Sequence, residues 1–199
     1  MAVSAKEVKE LREQTGAGMM DCKKALSECS GNFDEAVKLL RTKGLADVAK
    51  RSGRTANEGL VDSYIHAGGK IGVLVEVNSE TDFVARNDDF KAFVHDIAMH
   101  IAAAAPLYIS REDVPPVVVD AELAIYKDQA RATGKPDNIL EKIATGKLNK
   151  FFEQVCLLEQ PFVKDDQLTV EQLLGAIVGK IGENIVIKRF ARFELGKES

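Results

Sequence analysis

Leu60-Val61-Asp62-Ser63-Tyr64-Ile65-His66, Ala67-Gly68-Gly69-Lys70 and Ile71-Gly72-Val73-Leu74-Val75-Glu76-Val77 follow one another without a gap. Two runs rich in β-branched residues flank a turn with paired glycines, which reads as an antiparallel β-hairpin. Ile71, Val73, Val75 and Val77 alternate with other residues and so lie on one face of the second strand. That face must be covered. Downstream, Asn78 to Arg86 reads as a polar loop, and Asn87 then caps a helix. Its apolar stripe is Phe90, Val94, Ile97 and Ile101, and it ends before Pro106. Near the other end of the chain, Thr169 opens a helix to about Ile181. Gly182-Glu183-Asn184 then turns into a last strand, Ile185 to Leu195. The expected fold class is therefore α+β: about three antiparallel strands with helices on one side.

Upstream of the hairpin the pattern changes to short helices. Ser4 followed by Glu7 makes a capping box, with Val8 and Leu11 on one stripe. Gly16-Ala17-Gly18 breaks the chain. A second helix carries Met19, Cys22, Leu26 and Cys29, and Asn32 caps a third whose buried face is Phe33, Ala36, Val37 and Leu40. Gly44 is expected to end it. Residues 1–44 thus form a minimal three-helix bundle, similar to a ubiquitin-associated domain. Residues 45–58 read as a linker and residues 59–199 as the core domain. Within the core, Asp120 to Thr133 and Asp137 to about Gln154 form a helical hairpin joined at Gly134-Lys135-Pro136, occupying about 120–158. Pro161 to Gln167 reads as a loop.

The totals exclude several classes. A net charge of −4 over 199 residues argues against a protein whose main work is binding nucleic acid. The charge is uneven: residues 1–54 hold 11 Lys and Arg against 8 Asp and Glu, and the remainder holds 16 against 23. Cys22, Cys29 and Cys156 are too scattered for a disulfide framework and suit a reducing compartment. No run resembles a signal peptide or a membrane span, so a cytoplasmic protein is expected. No Cys/His cluster suggests zinc, and no cofactor is expected. Gly16 and Gly18 begin a GxGxxG, but the third position is Asp21. Each Gly-Lys pair lacks the upstream glycine of a P-loop. The three histidines have no triad spacing with Ser or Cys. An enzyme is not expected.

Two features resist a purely structural reading. Met19 and Met20 follow the glycine turn directly. Because a helix rotates about 100° per residue, both cannot face one small core, and exposed Met is an adaptable contact surface. The other feature is Asn78-Ser79-Glu80-Thr81-Asp82-Phe83-Val84-Ala85-Arg86, where Phe83 sits in a polar loop. Such a Phe either folds back to plug the core or is offered to a partner. Pattern alone does not choose.

Thr15-Gly16-Ala17-Gly18-Met19-Met20-Asp21-Cys22-Lys23-Lys24-Ala25-Leu26 resembles the N-terminal signature of the elongation factor Ts family. Glu76-Val77-Asn78 followed by Thr81-Asp82-Phe83-Val84-Ala85 resembles its second signature, and the likeness continues through Lys180-Ile181-Gly182-Glu183-Asn184-Ile185. The resemblance implies a guanine-nucleotide exchange factor for elongation factor Tu, acting in translation elongation. It further implies that the N-terminal bundle docks on the partner through Leu11, Arg12, Met19, Met20 and Lys23. Thr81, Asp82, Phe83 and Val84 would be the segment that wedges between two partner helices and dislocates magnesium. Longer relatives carry two related core halves, whereas this chain has one hairpin and one Thr-Asp-Phe-Val. A single core leaves unpaired strand edges, so a homodimer is expected. No direct nucleic-acid or membrane contact is expected. A ubiquitin-associated-type adaptor is the alternative, and it leaves the second signature unexplained.

Overall fold

The structure is a computed structural model and describes residues 3–132 and 137–197. The chain runs α1 (Ala5–Thr15), α2 (Met19–Glu28), α3 (Phe33–Arg51), β1 (Glu58–Ile65), β2 (Ile71–Ser79), α4 (Asp82–Ala85) and α5 (Asp88–Ala104). It continues through α6 (Pro116–Arg131), α7 (Asp137–Val155), β3 (Pro161–Phe162), β4 (Asp165–Thr169), α8 (Val170–Ile181) and β5 (Ile185–Glu194). The fold is α+β.

The hairpin forms where its sequence places it. Gly68 and Gly69 take φ of 91° and 66°, values that suit a tight hairpin turn and that only glycine adopts at little cost. The His66 N–H donates to the Ile71 carbonyl at 2.9 Å to close the turn. β5 pairs antiparallel on the other side of β2, giving a sheet of order β1-β2-β5. Val73, Val75 and Val77 are buried beneath α5 and α8, together with Phe90, Val94, Ile97 and Ile101 from the expected stripe. Thr169 and Gln172 form a reciprocal capping box at the start of α8.

The N-terminal helices also close as expected. The Glu7 N–H donates to Ser4 Oγ at 3.2 Å, and the Ser4 N–H to Glu7 Oε2 at 2.7 Å. Val8, Leu11, Cys22, Ala25, Leu26 and Ala36 fill the small core between them. Gly44, however, does not end the third helix, and residues 45–51 are helix rather than linker. A Cβ on Gly44 would stand 2.9 Å from the backbone carbon of Gly175, and one on Gly175 would stand 3.0 Å from that of Gly44. The glycine is there to let two backbones touch, not to stop a helix. Further along, Asp47 faces Gly179, and Arg51 Nε donates to the Gly182 carbonyl at 3.2 Å. α3 and α8 therefore run side by side in the same direction, and the three-helix unit is joined firmly to the sheet core.

Three other segments differ from expectation. Residues 78–86 are not simply a loop: β2 runs on to Ser79, and Asp82–Ala85 winds one helical turn that buries Val84. α6 starts at Pro116 rather than Asp120, because proline suits the first helical position, where no N–H is needed. Its joint to α7 at Gly134-Lys135-Pro136 lies outside the described residues. A separate small cluster of Val114, Phe152 and Cys156 lies under this helical arm. The Arg111 guanidinium is stacked 4.5 Å above the Phe152 ring and bonds Glu159 and Asn149. Residues 161–167 are not a plain loop, since they contain β3, most of β4 and the turn between them. Buried His100 holds that ribbon to α5. Its Nδ1 accepts from the Val163 N–H at 3.3 Å, which leaves Nε2 to donate to Gln160 Oε1 at 3.0 Å.

Replacing Gly44 by Ala should destabilise the protein by about 1–3 kcal/mol, the usual cost of overpacking. Urea unfolding measures it; an unchanged midpoint would mean the helices part freely. His100 gives a pH dependence. Burial pushes its pKa down from 6.5, so the folded protein holds it neutral while the unfolded chain still binds a proton. Stability from this group is full above 6.5 and is lost as pH falls from there toward the folded value. His100→Gln should flatten that acid limb in urea melts between pH 7.5 and 5.

Candidate partner-docking site

α1 ends and α2 begins at Gly16-Ala17-Gly18. Gly16 adopts φ 67° as the left-handed cap, and its N–H donates to the Arg12 carbonyl at 2.8 Å. The Cys22 N–H then donates to the Gly18 carbonyl at 2.9 Å, so the next helix starts at once. Thr15 Oγ1 caps back to the Leu11 carbonyl at 2.7 Å. Beneath this corner lies Cys22, whose thiol pKa is raised by burial, as suits a packing role. Both methionines are held outward: Met19 is 44% exposed and Met20 62%. Arg12 and Lys23 are exposed as well, and among the described residues neither has an ion-pair partner.

Leu11 differs from the other residues assigned to docking. It is 0% exposed, at the centre of the three-helix core. A side chain with no free surface cannot touch a docked protein, so Leu11 supports the α1–α2 corner from beneath.

The second signature is displayed on the short turn α4. Phe83 is 78% exposed, while its neighbour Val84 is buried at 8%. The core is thus plugged by Val84, and Phe83 is free of it. Asp82 pairs with Arg86 at 2.7 Å on the turn's outer side. Glu80, just before the turn, has its pKa lowered chiefly by the Asn184 backbone N–H and then by Arg54. It therefore stays a carboxylate.

These two segments, far apart in sequence, line one recess of about 440 Å³. Arg12 and Gly16 to Gly18 form one wall, Phe83 and Val84 another, and Lys180 with its partner Asp89 closes the floor. Thr81 and Asp82 directly precede Phe83, as the N-cap and first residue of its turn. Met19, Met20 and Lys23 continue the surface along α2. Among the described residues no group of three or more His, Cys, Asp or Glu could hold a metal ion, and no helix is long and apolar enough to cross a membrane. What the arrangement offers chemically is an exposed Phe and the cation Arg12 on one recess, with exposed Met19, Met20 and Lys23 on the adjoining helix.

Sequence reasoning missed how α4 is held. The Thr81 N–H and Oγ1 both donate to Glu183, at 3.0 and 2.7 Å, and the Asn184 N–H donates to Glu80 at 2.6 Å. The only signal available was the polar turn Gly182-Glu183-Asn184, too common a pattern to suggest a partner across the fold.

Fold and recess together define an α+β protein that brings two separate motifs to one recess. The family model described as "Elongation factor TS" matches residues 1–197. The chain is 62% identical to an elongation factor Ts of Geotalea uraniireducens and 60% identical to one of Geobacter sulfurreducens, covering 99% of itself and 91% of each relative. To that of a Thermoanaerobacter species it is 60% identical, over 98% of itself and 96% of the relative. The chain belongs to the elongation factor Ts family and is a translation elongation factor.

Met19→Ala and Met20→Ala should each change stability by less than about 0.5 kcal/mol, as for other exposed positions. Leu11→Ala should cost about 2–5 kcal/mol. Thermal melts of the three variants test this placement; a large loss at either methionine would return it to the core.

Proposed function

We propose that this protein binds the GTPase elongation factor Tu in the cytoplasm and promotes release of its GDP by disturbing the magnesium and phosphate site. The observation that carries the reading is Phe83, exposed on a turn whose neighbouring residues are tied down, lining one recess with Arg12 and the Gly16–Gly18 corner that leads into Met19 and Met20. Arg12, Met19, Met20 and Lys23 grip the partner's nucleotide-binding domain. Thr81 to Val84 act as the wedge, with Asp82 and Phe83 at its tip and Val84 as its root. The protein works by binding rather than by covalent chemistry.

Magnitudes suit a shared task. Burying one Phe contributes about 1.5–3 kcal/mol, or roughly ten- to hundred-fold in affinity. That is modest for exchange, so lost magnesium contacts in the partner must supply the rest. Coupling is reciprocal: whatever weakens nucleotide also weakens the factor when nucleotide returns.

A second copy of the chain is the further partner. β1 and β5 are the sheet's free edges, and the sheet face turned away from α5 carries exposed Val61, Ile65, Leu74 and Phe193. Ile65, Gly72 and Phe193 are cross-strand neighbours in one row, with Leu74 in the next, so the hairpin end of this face is apolar, while Val61 lies beside the Glu76–Arg189 pair. A two-fold dimer joined through this sheet would cover it and give the doubled core of longer relatives.

Release of labelled GDP from elongation factor Tu should accelerate when this protein is added. Phe83→Ala should slow release by roughly ten-fold or more while leaving docking through the α1–α2 corner measurable. Full-rate exchange by that variant would overturn the wedge. Light scattering should report twice the 21.7 kDa chain mass, and a value near the single-chain mass would remove the dimer.

A further inference from the structure

The turn that carries Phe83 lacks the device that normally starts a helix. Thr81 occupies the N-cap position with φ −128° and ψ 156°, yet its hydroxyl makes no capping bond to the turn. That hydroxyl donates instead to Glu183 Oε1 at 2.7 Å, and the Thr81 N–H donates to Glu183 Oε2 at 3.0 Å. The third polar group of the same residue is held too, since Ser79 Oγ donates to the Thr81 carbonyl at 2.9 Å. Ser79 is fully buried, and Thr81 is half-buried.

Glu183 can do this only because its own turn is fixed. Arg51 Nε donates to the Gly182 carbonyl, the Asn184 N–H donates to Glu80 at 2.6 Å, and Asn184 Nδ2 donates to the Arg54 carbonyl at 2.8 Å. The carboxylate thus stands on a support reaching to the end of α3. A four-residue helical turn has no stability of its own. Its direction is set by what holds its two ends. Val84 anchors the far side by burial, and Glu183 clamps the near side through charge-assisted bonds.

We propose that Glu183 is a positioning residue for exchange: by clamping Thr81 it holds the Asp82–Ala85 turn with Phe83 projecting, ready to enter a partner. Glu183 need not touch the partner. Without it, two donors lose their acceptor, water replaces it, and the turn samples orientations in which Phe83 lies back on the surface. The exchange role rests on the function proposed above, whereas the clamping does not.

The chain contains no Trp, so Phe83→Trp provides a single indole at the tip, excited selectively at the red edge of protein absorption. Two readouts on the full-length protein test the inference. In the Phe83→Trp background, Glu183→Ala should speed the anisotropy decay of the indole and change its quenching by acrylamide. Glu183→Gln, which keeps one carbonyl acceptor, should restore part of the slow decay. In the Phe83 protein, Glu183→Ala should lower the maximal GDP-release rate at saturating factor by roughly tenfold, with Glu183→Gln in between. Loss confined to the half-saturating concentration would overturn positioning, as would a loss that follows the folded fraction in melts. Unchanged indole mobility in both variants would overturn it as well. If the unsubstituted protein releases no GDP, the proposed function fails, and the indole readout alone still decides whether Glu183 clamps the turn.

Discussion

The contact of two backbones at Gly44 and Gly175 is the constraint on which the surface depends. Without side chains between them, α3 and α8 lie close enough for Arg51 and Arg54 to reach the Gly182–Asn184 turn and Glu80. That places the α1–α2 corner opposite the Phe83 turn. A swivelling bundle on a flexible linker would leave the two motifs without a fixed relation. The helical continuation through residue 51 removes that freedom and makes one recess out of two distant segments.

Electrostatics assists the same union. The N-terminal segment is net basic and the rest of the chain net acidic. Ion pairs and bonds cross the junction between them: Arg54 to Glu80, and Arg41 to the Gln167 carbonyl. Pairs this exposed contribute little individually. Their use lies in orientation: they tie the bundle to the core and, among the described residues, leave Arg12 and Lys23 at the α1–α2 corner without ion pairs. Part of the positive surplus thereby stays at the recess rim, on Arg12, and along α2, on Lys23.

Much of the fold was legible in the sequence, for local reasons. Paired glycines and alternating valines specify the hairpin, and capping residues specify the starts of α1, α3, α5 and α8. The unreadable parts depend on distant partners. Gly44 looks like a stop because nothing nearby in sequence reveals Gly175. Whether Phe83 plugs or projects is undecidable locally, since Val84 competes for the plug and Glu183, far along the chain, sets the direction. Leu11 is instructive in another way. Helical periodicity put it in the core, while likeness to a motif put it on the docking surface, and periodicity was the better guide to burial. The small β3–β4 ribbon escaped notice because its residues are mostly polar and its anchor, His100, belongs to a different element.

The helical arm has its own small core of Val114, Phe152 and Cys156, separate from the cluster beneath the sheet. Arg111 ties the base of the arm to Glu159, close to where the chain re-enters the main body. Changes in α6 and α7 that leave this base intact therefore need not reach the core beneath the sheet. This makes the arm a site of low pleiotropy. Over generations the chain can gain or lose turns there, or acquire a new surface, while the sheet, the glycine contact and the Phe83 turn keep their packing.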